Sequence, residues 1–561
     1  MFKKIAAFTA TAAALFVLPF FAAADDFDDL EKLLEESDKT EQTSPEVSDT
    51  DEDDDDETSR FGQSRIFEPS LQRTLVISAA ASPLDLNPHT SSYTNEAQII
   101  NSLQEGLFSY DPKTLDPVPA IAENYRISRD KKRWTFTIRE DAKLSGGKQI
   151  TAQTVIDSWL LLQKTPGAPY ASLLDCIKGM QEYRAGLIGK DEVGLKANGN
   201  KLIVTLNNPT AHLPRLLCHH AFSVFTGDVN RFSGAYTVSS IDEQKLVLAK
   251  NADYWDAGNV ALEQIELDFC SDSKENTWLF NTGRTDWVMS ALDTQTLINK
   301  NSIRISAIFG TTYLFFTCKN PLWANAELRN ALLTAVPWDK LRKGNLIAAT
   351  TLVYPLSGYP QVEGLSDYSE EEALEMMEDA RKDAGIEPDK KLEITFGITD
   401  SEYMKELAQI LKDAWAPLGV ELVPYKITEE RYLSSIPHLN YDIFSYSWIG
   451  DFADPVAFLE LFREGSTLNQ TKWHNEDFMN KLTLADSETD TAERYRLLSQ
   501  AEQILLDDGL IMPVCHSISL HAIDLNSIGG WYTNALDIHP FKAMYFKHTE
   551  TEVPDNVAIL K

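Results

Sequence analysis

The histidines and the large excess of carboxylates are the side chains of this 561-residue chain best suited to acid–base or metal chemistry, so their spacing decides what they can do. His219 and His220 are adjacent. On a strand they face opposite sides, and on a helix they point about 100° apart. His516 and His521 are five apart and share no face in either geometry. Ligation from them needs partners from elsewhere in the chain, so the spacing predicts ordinary structural histidines, with no metal and no cofactor. The five cysteines (Cys176, Cys218, Cys270, Cys318, Cys515) form no C-x-x-C pair, and most are expected to be buried small hydrophobes, with at most one or two disulfides. There is no G-x-S-x-G elbow, no phosphate-binding G-x-x-x-x-G-K-[ST] loop, no H-E-x-x-H and no G-x-G-x-x-G. That silence points to a binding protein and away from an enzyme.

The elements that would position a binding site mix strands with helices. Trp134–Ile138, Leu202–Leu206 and Ile265–Phe269 alternate as half-buried strands do. Leu392–Phe396 also alternates, Met404, Leu407, Ala408, Leu411, Ala414 and Trp415 recur at helical spacing, and after Gly419 strand composition resumes at Val420–Val423. This predicts a β-α-β unit with parallel strands. Ser369 with Glu372 three residues on is a capping box, opening a helix whose apolar face is read as Ala373, Leu374, Met377, Ala380 and Ala384 before Gly385 stops it. Tyr495, Leu498, Ala501 and Leu505 mark another helix. The fold class is α/β, with more than one lobe.

Composition bounds the class. With 43% hydrophobic and 10% aromatic residues the chain can build two or three cores, while a net charge of −34 argues against a nucleic-acid partner. Lys3 and Lys4, the uncharged run Ile5–Phe21 and Ala22-Ala23-Ala24 have the anatomy of a signal peptide cleaved after Ala24, which predicts a periplasmic, soluble protein. From Asp25 to Glu57 there are 18 acids and two lysines, a segment expected to be a disordered, solvated spacer.

Further motifs, in order along the chain, are Leu84-Asp85-Leu86-Asn87-Pro88, Glu105-Gly106-Leu107-Phe108, Pro119–Glu123, Trp134–Arg139, Lys143–Ala152, Ser233–Tyr236, Asn251–Asp256, Gly283–Asp286, Arg329–Leu332 and Ser447–Phe452. This series resembles the solute-binding proteins of peptide ABC transporters, the oligopeptide-receptor family 5, from about Leu75 to Phe546. Leu144 departs from it, standing where the family usually has Trp. The resemblance implies a type II periplasmic-binding-protein fold of two lobes with an extra subdomain, three domains in all. These would be domain Ia at 70–105, 228–312 and 531–548, domain Ib at 106–227, and domain II at 313–530. Residues 25–69 form the acidic segment and 549–561 the tail. Two strands crossing between lobes near Thr311 and Trp531 would be the hinge.

The resemblance also implies a site. The family encloses an extended peptide between lobes and then docks on a membrane permease. The first-lobe strand would be Ser92-Tyr93-Thr94 and the second-lobe strand Ser447-Trp448-Ile449. Asp451 would bind the ligand's α-ammonium, and Tyr170, Trp531 and Tyr313 would be cleft aromatics, with core packing as their other reading. Ser445 and Ile436 stand where well-known relatives carry arginines, so a ligand carboxylate would fall to Arg431, Arg463 or a lysine elsewhere. The expected partners are a peptide and a permease, and the expected state a monomer. The same fold could hold a nickel chelate, haem or sugar, and from another class an envelope chaperone or surface interaction protein remains open.

Overall fold

The computed structural model describes residues 74–80, 84–91, 93–210, 212–427, 436–450, 452 and 454–547. The signal segment, the acidic run, the C-terminal tail, Ser92, Arg431 and Asp451 lie outside the described residues. Among the described residues no helix is long and apolar enough to cross a membrane.

A ten-stranded sheet forms the frame. Its strands in chain order are β1 (Leu75–Ala79), β2 (Tyr236–Ile241), β3 (Lys245–Lys250), β4 (Gln264–Phe269), β5 (Trp287–Val288), β6 (Ile303–Phe316), β7 (Leu392–Ile398), β8 (Val420–Lys426), β9 (Ile443–Ile449) and β10 (Ile511–Ile523). The spatial order is β8-β7-β9-β6-β10-β5-β1-β4-β3-β2. One half belongs to a first lobe and the other to a second, and β6 and β10 run antiparallel through both. At 14 and 13 residues they are long enough to do so, roughly 40–45 Å at the usual rise. The register between them shifts from Ala307↔Ile518 to Thr311↔His516, a bulge at the midpoint.

The sequence put the second crossing strand near Trp531, and the structure moves it to β10. The run Ile511–Ile523 is apolar along most of its length, as a strand covered on both faces must be. Gly529-Gly530 instead makes a tight return. Gly530 has φ +80°, and a Cβ there would lie 1.9 Å from the Ala543 carbonyl oxygen.

The β-α-β unit folds as its pattern predicts. β7 and β8 are parallel in register Leu392↔Val420, joined by the helix Glu402–Trp415, which buries Met404, Leu407, Ala408, Leu411 and Trp415. Ser369 caps the helix Glu370–Asp383 by accepting from the Glu372 amide. Its buried stripe is Ala373, Met377, Ala380 and Arg381; Leu374 is exposed because it lies about 100° round the helix from Ala373, and Ala384, though on the stripe by spacing, because it is the C-cap beyond the last helical residue.

Between β1 and β2 the first lobe carries a separate four-stranded antiparallel sheet, ordered Ala122–Ile127, Arg133–Ile138, Lys201–Thr205 and Leu195–Asn198. The helix Ala152–Lys164 accompanies it, with Trp159 buried and donating its indole N–H to the Phe222 carbonyl at 3.0 Å. All five cysteines are free, within the expected bound of at most one or two disulfides. Burial raises the Cys218 and Cys515 thiols, which behave as the small hydrophobes expected.

Candidate functional site: the junction of the two lobes

β9 delivers the expected second-lobe strand. Its residues Gly310-facing Ile449, Trp448 and Ser447 all pair with β6, and Ser447 Oγ lies 2.9 Å from Thr312 Oγ1. On the other edge, β7 pairs only with Ile443 and Phe444. Among the described residues, Ser447–Ile449 therefore have a strand on one side and none on the other. Close approach of β9 to β6 depends on Gly450, where a Cβ would meet the Phe309 ring at 2.5 Å.

Trp448 is buried, with its indole N–H on the Ala457 carbonyl at 3.0 Å, and it meets Tyr170 of the first lobe at 6.3 Å between ring centroids. Beside that contact the lobes are hydrogen-bonded. The Thr467 amide donates to Ser172 Oγ at 3.0 Å, and the Thr467 hydroxyl donates to the Pro169 carbonyl at 2.5 Å. Further along, first-lobe His212 stacks on second-lobe Phe452 at 5.7 Å, 8° from parallel. Burial, and then Arg494, push His212 down to about 4, so it is neutral in this arrangement. Burial works against ionisation of the neighbouring Asp454, but its two-bond pair with Arg494, at 2.6 and 3.0 Å, holds it below the usual carboxylate range.

The first lobe brings a histidine cluster to the same region. Tyr170 lies 4.3 Å from His219 and 5.7 Å from His220, with their rings 4.1 Å apart. Burial pushes His89 down to about 4 and His219 to about 3. Both ring nitrogens of His89 and Nε2 of His220 are buried without a hydrogen-bond partner among the described residues. Tyr93 is extended and 39% exposed. Thr94 already begins the helix Thr94–Leu103, so the expected first-lobe strand is at most a short extended stretch ending at Tyr93. A cavity of about 290 Å³ opens where the lobes meet, lined among others by Lys113, Asp116, Arg215, Tyr354, Phe452 and Asn534.

Two expected cleft aromatics sit in cores. Tyr313 is buried against Tyr446, Phe315 and Phe462. Trp531 is buried against Trp287, His521 and His539. Arg463 is held by Glu460 at 2.6 Å and by both oxygens of Asp486 at 3.0 Å, which commits it to the protein. Ile436 is fully buried. The contacts through Ser172, Thr467, His212 and Arg494 were missed by sequence reasoning, because each is a polar residue whose partner lies far off in the chain, and even Arg494, on the helix Thr491–Asp507, adds nothing to an apolar periodicity.

The sequence model of the bacterial extracellular solute-binding proteins, family 5, matches residues 116–470. The chain is 26% identical over 510 residues to the oligopeptide-binding protein OppA of Bacillus subtilis, covering 84% of this chain and 93% of that one. The murein tripeptide binding protein MppA of Escherichia coli superposes with a TM-score of 0.75 at 25% identity, covering 85% of this chain and 99% of that one. Against MppA in its unliganded open form, at 25% identity and with coverage of 85% and 98%, the TM-score falls to 0.61. The two-lobed α/β architecture is thus that of the multi-domain type II binding-protein fold, in an arrangement nearer the first MppA structure than the open one. On the match of its sequence over most of its length, this chain belongs to the family 5 bacterial extracellular solute-binding proteins.

Proposed function

We propose that this chain is the receptor of a peptide ABC importer. It is exported by a signal segment cleaved after Ala24, acts as a periplasmic monomer, encloses a peptide between its lobes and hands it to the membrane permease. The observation that carries this reading is the edge of β9 at Ser447–Ile449, which among the described residues has no strand beside it and lies at the lobe junction. A peptide laid on that edge gains main-chain hydrogen bonds whatever its sequence, which suits a receptor for many ligands. Asp451, two residues beyond Ile449, is the counter-ion for the peptide's ammonium terminus. Tyr93 and Tyr170, with the His89 ring nitrogens and His220 Nε2 that lack a partner among the described residues, supply polar groups from the first lobe. The relatives' names favour a peptide over a nickel chelate, haem or sugar, and over a chaperone's unfolded chains. The mechanism is closure of the lobes about β6 and β10, with the bulge at Ile308–Gly310 taking up the bend.

The test is to denature protein purified from its native envelope and identify what it carried by mass spectrometry. Short peptides with free amino termini are expected. A sugar, haem or metal chelate as the sole cargo would overturn the assignment.

A further inference from the structure

The sequence offers His521 no ligating partner at helical or strand spacing, but the fold supplies two. His521, near the end of β10, points Nε2 at Oδ1 of Asp537 from 2.8 Å, and His539 points its Nε2 at the same oxygen from 3.1 Å. The three donor atoms lie within 4.8 Å of one another. They come from β10 and from the loop that follows Trp531. We infer that His521, Asp537 and His539 form a binding site for a single borderline divalent ion of the Zn²⁺ class.

The donor set is two imidazoles and one carboxylate, which suits Zn²⁺ with a fourth position left to water. A tetrahedral ion with arms of about 2.0–2.1 Å needs donors roughly 3.3 Å apart, so the Asp537 oxygen must draw back from each imidazole by a few tenths of an ångström and the two imidazole nitrogens, within 4.8 Å of each other, must close by up to about 1.5 Å. The site is also held in advance. His539 is clamped to the helix Thr94–Leu103 by its amide on Gln98 Oε1 at 2.8 Å and its carbonyl on Gln98 Nε2. Asn534 folds the loop by accepting from the Leu536 and Ile538 amides at 3.1 and 3.2 Å. Asp537 is held at φ +54°, a left-handed conformation uncommon for a residue with a side chain. Both imidazoles are 2% exposed while the Asp537 carboxylate is 20% exposed, which gives the ion a way in.

Binding exchanges hydrogen bonds for coordination bonds. For each imidazole to ligate through Nε2, the proton that Nε2 donates to Asp537 is exchanged through solvent for one on Nδ1, leaving a neutral ring with its Nε2 lone pair toward the ion. On His539 Nδ1 is buried, with no side-chain partner among the described residues. On His521 it accepts from the Trp287 indole at 3.4 Å, a long bond that the ligating tautomer surrenders. Trp287 and Trp531, 5.7 and 4.4 Å from His521 and His539 respectively, therefore report on the ion by fluorescence.

The experiment is calorimetric titration of chelator-treated full-length protein with ZnCl₂. It is paired with Co²⁺ absorption and tryptophan fluorescence on the same samples. One ion per chain is expected, with a tetrahedral Co²⁺ spectrum and quenched tryptophan emission. Asp537→Asn and His539→Ala should each weaken binding by more than the roughly 10–100-fold that loss of an outer-shell partner costs. His474→Ala, which alters an exposed histidine paired with Glu464, should change nothing. Melting curves without metal verify that each variant folds. Wild-type protein that takes up no Zn²⁺, or uptake that survives both ligand substitutions, as binding to the acidic N-terminal run would, overturns the inference. Neither result touches the peptide-receptor reading, which the cargo analysis tests separately.

Discussion

Arg494 and Asp454 show how the second lobe treats buried charge near its cleft: each is almost fully buried, and each is held by two hydrogen bonds to the other. The proposed role of Asp451, three residues earlier, is different, because its partner arrives with the ligand. A peptide on the β9 edge would bring its ammonium terminus to that residue. Asp451→Asn keeps the shape and removes the charge, leaving an ammonium without its counter-ion once the lobes close. The general cost of breaking a buried pair is about 3–5 kcal/mol. Calorimetry with a free-amine peptide should therefore show a loss of roughly a hundredfold to several-thousandfold. N-acetylated peptides should bind poorly to the wild type and lose little more in the variant. Equal affinity for free and acetylated peptides would remove Asp451 from the site. At this scale the sequence was readable only where a motif carried the position, as for Trp448 and Tyr170. Arg463 with Asp486, or His521 with Asp537 and His539, become neighbours only after folding, and nothing in their spacing announces it.

The helix Thr491–Asp507 was legible from Tyr495, Leu498, Ala501 and Leu505, but its most consequential residue was not. Glu502 is fully buried, accepting from the Leu352 and Val353 amides at 2.9 and 2.8 Å and from the Tyr359 hydroxyl at 2.8 Å. It ties the helix to a loop that has no regular structure of its own. Burial pushes its carboxyl up to about 7, against the pull of those three donors. The folded protein thus holds this proton more tightly than the unfolded chain, where a glutamate titrates near 4.3. Stability from this group is fully present below the unfolded value and is lost as pH rises through about 7. The loss between pH 5 and 8 should be about 2–3 kcal/mol, and Glu502→Gln should abolish that part of the profile. Denaturant midpoints across this range check it, and parallel curves for the two proteins would show that Glu502 does not titrate there. Elements with one apolar stripe, such as Glu402–Trp415, could be read from spacing alone. β10 could not be read as one long strand, because its first half, Ile511–Cys515, is apolar throughout, as a strand covered on both faces is, and only Ser517–Ala522 alternates.

The whole molecule is two half-sheets joined through β6 and β10, and its described arrangement is one in which Thr467 reaches across to Ser172 and Pro169. The family motifs made the lobes legible and left this contact unseen. If the contact belongs to the closed state alone, it should matter for capture and not for folding. Thr467→Val keeps the side-chain volume and removes the hydroxyl that donates to Pro169 and meets Ser172 Oγ at 2.9 Å. Net hydrogen bonds are worth about 0.5–1.5 kcal/mol each, so peptide affinity should fall roughly tenfold. Small-angle scattering supplies the control. Wild type and variant should share the same larger radius of gyration without ligand and contract alike at saturating peptide, since ligand binding draws the population to the closed form. The variant should need about ten times more peptide to get there. Unchanged scattering on saturation of the wild type would refute closure, whereas contraction at equal peptide concentrations would show that Thr467 plays no part in it.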